Sequence, residues 1–288
     1  MRLALSFLLA SVLLSACDNG LARPSDRQVQ QRVDAATDRL SASEAGQTVL
    51  AAIDAHGGLA TWYGNGPVHF RYAYGGVDSL GQPTGDPLAT DQTLDTWSAR
   101  AVHQLVADTS VSFGWTGTHA WAMPNADAVP TNPRFWSLTP YYFASMPFVL
   151  ADEGVQLELA DTLTVEGTTY DQVYVTFADG TGDAPDDYYY LLVHPETKRV
   201  GGVRYVVSYG PFNPEGGHTP ETIMLYDGAQ TVDGITLQEG FRSFAWSDTL
   251  RGPASPKAAG TLTELAFRGE LANDAFAMPE GAEVQPDI

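Results

Sequence analysis

Two periodicities divide the chain. Between residues 25 and 55 apolar positions recur at helical spacing: Val29, Val33, Ala36 and Leu40 form one stripe, and Val49, Leu50 and Ile53 a second. Ser25 with Gln28, and Ser41 with Glu44, read as capping boxes that open these helices, since a serine oxygen accepts from the third helical amide. Gly57-Gly58 closes the second helix, because glycine takes the left-handed C-cap conformation cheaply, and Trp62 is expected to pack back onto it. From Pro67 onward the period falls to two. Val155, Leu157 and Leu159 alternate with Gln156, Glu158 and Ala160; Val203, Tyr205, Val207 and Tyr209 alternate with Arg204, Val206 and Ser208; Leu265, Phe267, Gly269 and Leu271 alternate with Glu264, Ala266, Arg268 and Glu270. Such alternation predicts strands with one face on a core. Turn signals at Glu166-Gly167, Asp179-Gly180, Pro195-Glu196-Thr197, Asp227-Gly228 and Asp233-Gly234 separate roughly ten strands, joined as an antiparallel meander that curls into a barrel or half-barrel.

One segment interrupts the meander. Asn132-Pro133 is an N-cap and first-turn pair, and it opens an aromatic-loaded helical run from Phe135 to Leu150 that Pro140 and Pro147 are expected to break or kink. A sheet with one apolar face needs a cover, and the candidates are this run and the N-terminal helices. The predicted fold class is therefore mainly β (α+β): an antiparallel, unclosed β-barrel or half-barrel covered by N-terminal and mid-chain helices.

The first residues carry a different signal. Arg2, the apolar stretch Leu3–Leu14, Ser15-Ala16 and then Cys17 follow the order of a bacterial lipoprotein signal peptide, cut so that the cysteine thiol carries lipid. Residues 1–16 are expected to be removed, residues 17–42 to hold the lipidated cysteine, a tether and a short helix, and residues 43–288 to form a single β domain. The apolar stretch is too short to span a bilayer. An anchor of two or more acyl chains holds stably, each methylene contributing roughly 0.8 kcal/mol. Cys17 is the sole cysteine, so its acylation leaves no thiol for disulfides, metal sites or nucleophilic catalysis.

Charge narrows the partners. The chain carries 35 acidic against 15 basic residues, a net charge of −20, and its lysines are Lys198 and Lys257 alone. Nucleic acid is excluded as a partner, since phosphate binding needs clustered Lys and Arg. His69, His103, His119, His194 and His218 are scattered without the spacing of a zinc motif, and no metal or cofactor is expected. His56, at a helix C-terminus where the dipole favours a cationic imidazole, reads as structural. The run Asp179–Asp187 reads as an acidic turn in preference to a calcium loop. No serine-nucleophile elbow, phosphate loop or dinucleotide fingerprint is present.

Several stretches carry a resemblance. Ala55-His56-Gly57-Gly58-Leu59-Ala60-Thr61-Trp62, Met146-Pro147-Phe148-Val149-Leu150-Ala151-Asp152, the turn around His194–Val200 and the terminal Phe276–Ala282 resemble an uncharacterised family of bacterial lipoproteins. Residues 43–286 are also similar, more distantly, to the lipoprotein-localisation carrier and its outer-membrane receptor (LolA/LolB-like). That resemblance implies an unclosed barrel whose helical cover encloses an apolar space for acyl chains. Here Trp136, Tyr142, Phe143 and Met146 are the candidate lining, with plain core packing as the alternative. The role so implied is a non-enzymatic, membrane-anchored binder of an acyl chain or other apolar ligand on the periplasmic side or cell surface. Two other readings stay open: an extracytoplasmic carboxylate- or His-dependent hydrolase, which needs ionisable groups facing inward, and an envelope partner protein, which needs a filled core and an exposed apolar patch.

Overall fold

The computed structural model describes residues 23–184, 186–269 and 271–287; the apolar leader and Cys17 lie outside them. Helix α1 (Asp26–Ser41) starts on the predicted box, Ser25 N–H donating to Gln28 Oε1 at 2.9 Å. Its stripe meets the core through Val29, Ala36 and Leu40, with Val33 packed alongside. Helix α2 (Glu44–Ala55) is capped by Ser43, not Ser41: Ser43 Oγ accepts from Gly46 N–H at 3.0 Å, while Ser41 is consumed as the last residue of α1. The two helices turn so sharply that a Cβ on Gly46 would stand 2.0 Å from the Leu40 carbonyl oxygen. At the far end Gly58 N–H donates to Ile53 O and Gly57 N–H to Asp54 O, a Schellman pair with Gly57 at φ 117°. Helix α3 (Leu59–Asn65) follows and stacks Trp62 on Phe148, with ring centroids 4.5 Å apart.

Fifteen strands follow: β1 (Val68–Gly76), β2 (Leu88–Leu94), β3 (Ala101–Leu105), β4 (Ser112–Trp115), β5 (Ala120–Met123), then helix α4 (Pro133–Ala144), β6 (Val155–Val165), β7 (Thr168–Phe177), β8 (Tyr189–Val193), β9 (Val200–Tyr205), β10 (Thr222–Asp227), β11 (Gln230–Val232), β12 (Ile235–Leu237), β13 (Gly240–Ser247), β14 (Gly252–Phe267) and β15 (Glu283–Val284). The expectation of roughly ten undercounts them because β4, β5, β11, β12 and β15 are four residues or shorter. Thirteen form one antiparallel sheet in the order β15-β5-β4-β3-β2-β1-β14-β13-β10-β9-β8-β7-β6, and β11-β12 form a separate hairpin. The sheet does not close. Strands β1–β5 step outward to one edge; the chain then crosses through α4 to the opposite edge, and β6–β10 step back inward. The late hairpin β13–β14 fills the centre, pairing β14 with β1 and β13 with β10.

Strand β14 holds two prolines, Pro253 and Pro256, which a central strand does not tolerate. They lie beyond Ala258, where the register with β1 ends at Gly76 and the strand is paired with β13 alone. The predicted alternation reaches Phe267 but not Gly269 or Leu271, where the strand has ended. The Val203–Tyr209 run likewise leaves the sheet after Tyr205. Leu159, assigned to the apolar face, is 49% exposed because β6 is an edge strand.

Candidate functional site

Helix α4 decides where space is left. Asn132 Oδ1 accepts from Phe135 N–H at 3.0 Å and Pro133 fills the first turn, as its sequence predicts. Pro140 does not end the helix, which runs on to Ala144; the lost donor leaves the helix intact because packing holds it on one side. That side lies on β3, β4 and β5. Its Ser137 carbonyl accepts from His103 Nε2–H at 2.7 Å, and His103 stacks on Phe113 with centroids 4.6 Å apart. The ends are fastened too. Tyr209 O–H donates to the Asn132 side chain at 3.3 Å, and the Phe143 carbonyl accepts from Tyr226 O–H at 2.7 Å and from Gln238 Nε2 at 3.1 Å.

The opposite face of α4 presents Phe135, Leu138, Thr139 and Tyr142, one face at i, i+3, i+4, i+7, and all four are partly exposed. Beyond them is a groove of two lobes. The first, of about 270 Å³, runs from Trp115 past Leu138 and Tyr142 to Tyr189 on β8. The second, of about 210 Å³, lies between Trp136, Tyr72 and Tyr74 and the strands carrying Tyr205 and Met224. Phe135, Thr139, Phe143 and Val207 belong to both walls and stand between them. Each lobe alone falls just short of the roughly 300 Å³ at which ligand pockets begin, and the two share a wall.

The rim of the first lobe is charged, and its charged groups are internally hydrogen-bonded. Arg134 forks onto Asp183 at 2.7 and 3.0 Å, reaches Asp287 at 3.1 Å and lies 5.4 Å over the Trp115 ring. Asp187 accepts from Ser208 N–H at 2.5 Å and Tyr189 O–H at 3.2 Å, and burial pushes its carboxyl above the ordinary range. These aspartates come from the acidic run Asp179–Asp187, which forms the loop between β7 and β8. Inside, burial pushes the phenols of Tyr142 and Tyr189 far up, so both stay neutral. The Tyr142 hydroxyl is buried without a hydrogen-bond partner among the described residues.

Two histidines are built into the framework. His103 is fully buried, which lowers its imidazole to about 4 and keeps it neutral. His56 receives Val200 N–H on Nε2 at 3.1 Å and donates from Nδ1 to Thr236 O at 2.8 Å, so it fastens α2 to β9 and β12 as the neutral form. Its helix-end position favours the cation, but burial outweighs the dipole and its pKa is lowered. On the outer face His69, Asp91 and Glu264 converge, the one such trio among the described residues. Arg71 already binds both carboxylates there, with nitrogens 2.8 Å from Asp91 and 2.7 Å from Glu264.

Against known proteins, no family model and no curated sequence matches. Solved structures do. A LolA superfamily protein from Nitrosomonas europaea superposes with a TM-score of 0.53 at 10% identity, over 82% of this chain and 99% of that one. The fold is LolA-like. A putative outer membrane lipoprotein-sorting protein domain from Vibrio parahaemolyticus (TM-score 0.49, 9% identity, 81% and 97% of the two chains) is also similar. So is a DUF1329 family protein from Desulfovibrio piger (TM-score 0.47, 10% identity, 86% and 96%). The unclosed sheet and its helical cover are thus those expected of a LolA-like chain.

Of the four residues taken from the sequence as candidate lining, Tyr142 and Phe143 face the first lobe, and Trp136 and Phe143 the second. Met146, 1% exposed, lies in the core and lines neither lobe. Cys17 falls outside the described residues. Phe135, Leu138 and Thr139 were missed although their i, i+3, i+4 spacing with Tyr142 was readable. Tyr189, Tyr205 and Lys257 carry no local mark, because only the pairing of distant strands brings them to α4.

Proposed function

We propose that this protein is an envelope lipoprotein, anchored through acylated Cys17, that holds one acyl chain or a similar apolar ligand along the free face of α4. The observation that carries this reading is the pair of adjoining lobes: aromatic and aliphatic walls beside a helix pinned at both ends. Burial of the ligand supplies the driving force, about 25 cal/mol per Å² of apolar surface. The LolA-like fold supports the reading by likeness, and among the described residues no helix is long and apolar enough to cross a membrane. The reading is non-catalytic. The ionisable groups on the wall of the first lobe are already engaged, Asp183 by Arg134 and Asp187 by Ser208 and Tyr189, and His103 is sealed beneath α4.

Native mass spectrometry of protein purified gently from the envelope tests the cavity. The expected result is an adduct with the mass of an acyl-chain lipid, lost in Leu138→Trp, whose indole fills the first lobe while the fold persists. A clean mass unchanged after incubation with lipid extract would sink the reading. The anchor is tested separately: Cys17→Ser is expected to leave the protein in the soluble fraction with no acyl groups at its N-terminus.

A further inference from the structure

The second lobe has a polar side that burial of an alkyl chain does not require. Lys257 stands on its wall by way of a break in strand register. Across β13 and β14, Ser243 faces Ala258 and Phe244 faces Pro256, so Lys257 is the extra residue of a bulge. Strict alternation from buried Ala258 would turn position 257 to the outer face; a bulge re-aims its side chain. Here Lys257 stays exposed along its stem, while its ammonium reaches the wall of the lobe and donates to Thr222 Oγ1 at 2.7 Å. Thr222 is itself buried. Among the described residues no carboxylate lies within ion-pair distance of Lys257. Arg134, the other cation on the groove wall, is already neutralised by Asp183 and Asp287. Desolvation lowers the Lys257 pKa, as expected for an ammonium with no anionic partner.

Three phenols share the same lobe: Tyr72, Tyr74 and Tyr205. Burial pushes all three upward, so each remains a neutral hydroxyl able to donate. None of these hydroxyls has a hydrogen-bond partner among the described residues, in contrast to those of Tyr209 and Tyr226, which hold α4. In a chain of net charge −20 the surrounding field repels anions, so a free cation among unpaired donors is a local exception.

We propose that the ligand is an amphiphile with an anionic head, a carboxylate or a phosphate monoester. Lys257 and the phenols of the second lobe receive the head, and the alkyl chain passes Phe135 and Phe143 into the first lobe. This rests on the acyl-chain reading above and adds the chemistry of the head.

Calorimetric titration of the purified protein with dodecanoate, dodecyl phosphate and dodecanol separates the two. The better anion is expected to bind about tenfold tighter than the alcohol, since charge-assisted hydrogen bonds are roughly twice as strong as neutral ones. Lys257→Met is expected to erase that preference, and Lys257→Arg to retain most of it. Whichever anion binds better identifies a fatty-acid or a phospholipid-like source. Equal affinity for alcohol and anions, or a preference that survives Lys257→Met, would overturn the head-group proposal while leaving the apolar groove standing. Failure of all three to bind would overturn both.

Discussion

Against β3–β5, α4 is pressed home: Phe113 and Ala122 are fully buried, His103 reaches the helix backbone, and Gln92 lies beside them on the same inward row. Against β8–β10 the same helix makes ring contacts near its C-terminal end, Phe143 with Tyr205 at 4.8 Å and Tyr142 with Tyr189 at 5.3 Å between centroids, and the two lobes lie beside these contacts. Both flanks are aromatic, so composition does not separate them. Fastening does. The tight flank is tied through the middle of the helix at Ser137, whereas the open flank is tied at the ends, at Asn132 and Phe143. A helix held at its ends over a curved sheet leaves its middle off the surface, and that is where the two lobes lie.

The contrast breaks most visibly by truncation. Phe113→Ala, on the tight flank, is expected to lose about 3–5 kcal/mol in denaturant unfolding, whereas Leu138→Ala, on the groove, loses about 1 kcal/mol because its side chain already borders open space. Equal losses would mean that the groove is packed as tightly as the core.

Acid should act through the tight flank. The unfolded chain protonates His103 near its ordinary 6.5, the folded chain only near 4. The unfolded state therefore binds the extra proton, and stability, complete above about pH 6.5, falls as pH drops toward 4 by about 3 kcal/mol from this residue. His56 and His69, also lowered, act in the same direction. His103→Gln is expected to show a shallower loss between pH 7 and 4.5 than the unsubstituted protein.

Loosening one end of α4 is a smaller change. Tyr226→Phe removes the donor to the Phe143 carbonyl at the cost of about 1–2 kcal/mol. Amide exchange over residues 141–145 is then expected to quicken, with residues of β3 and β4 unchanged. Smallest of all, Tyr142→Phe deletes a buried hydroxyl with no partner among the described residues, so stability is expected to hold or rise by up to about 1 kcal/mol. A clear loss there would show that the hydroxyl is satisfied in solution.

The sequence made local structure readable wherever one residue controls one terminus. Ser25, Asn132 and the Gly57-Gly58 pair sit where they were expected, because caps act over three or four residues. It misassigned Ser41, because two serines near a tight turn compete and only close packing at Gly46 selects Ser43. Strands with clean alternation were legible; β2 was not, since Thr90, Asp91, Gln92 and Thr93 are polar on both faces although Thr90 and Gln92 point into the core. The groove was legible in half. Its helical wall lies in one continuous stretch, whereas the opposite wall is assembled from β8, β9, β10 and β14, whose order no local pattern encodes.

That order has a consequence for how the molecule comes into being. The two halves of the sheet, β1–β5 and β6–β10, share no hydrogen-bonded pair until β13 and β14 are inserted between them, and those follow both halves along the chain. A nascent chain halted before Gly240 has two exposed edges and no second lobe. The groove is therefore completed by residues that are synthesised after both of its flanks, so its shape exists only once the central hairpin has joined them.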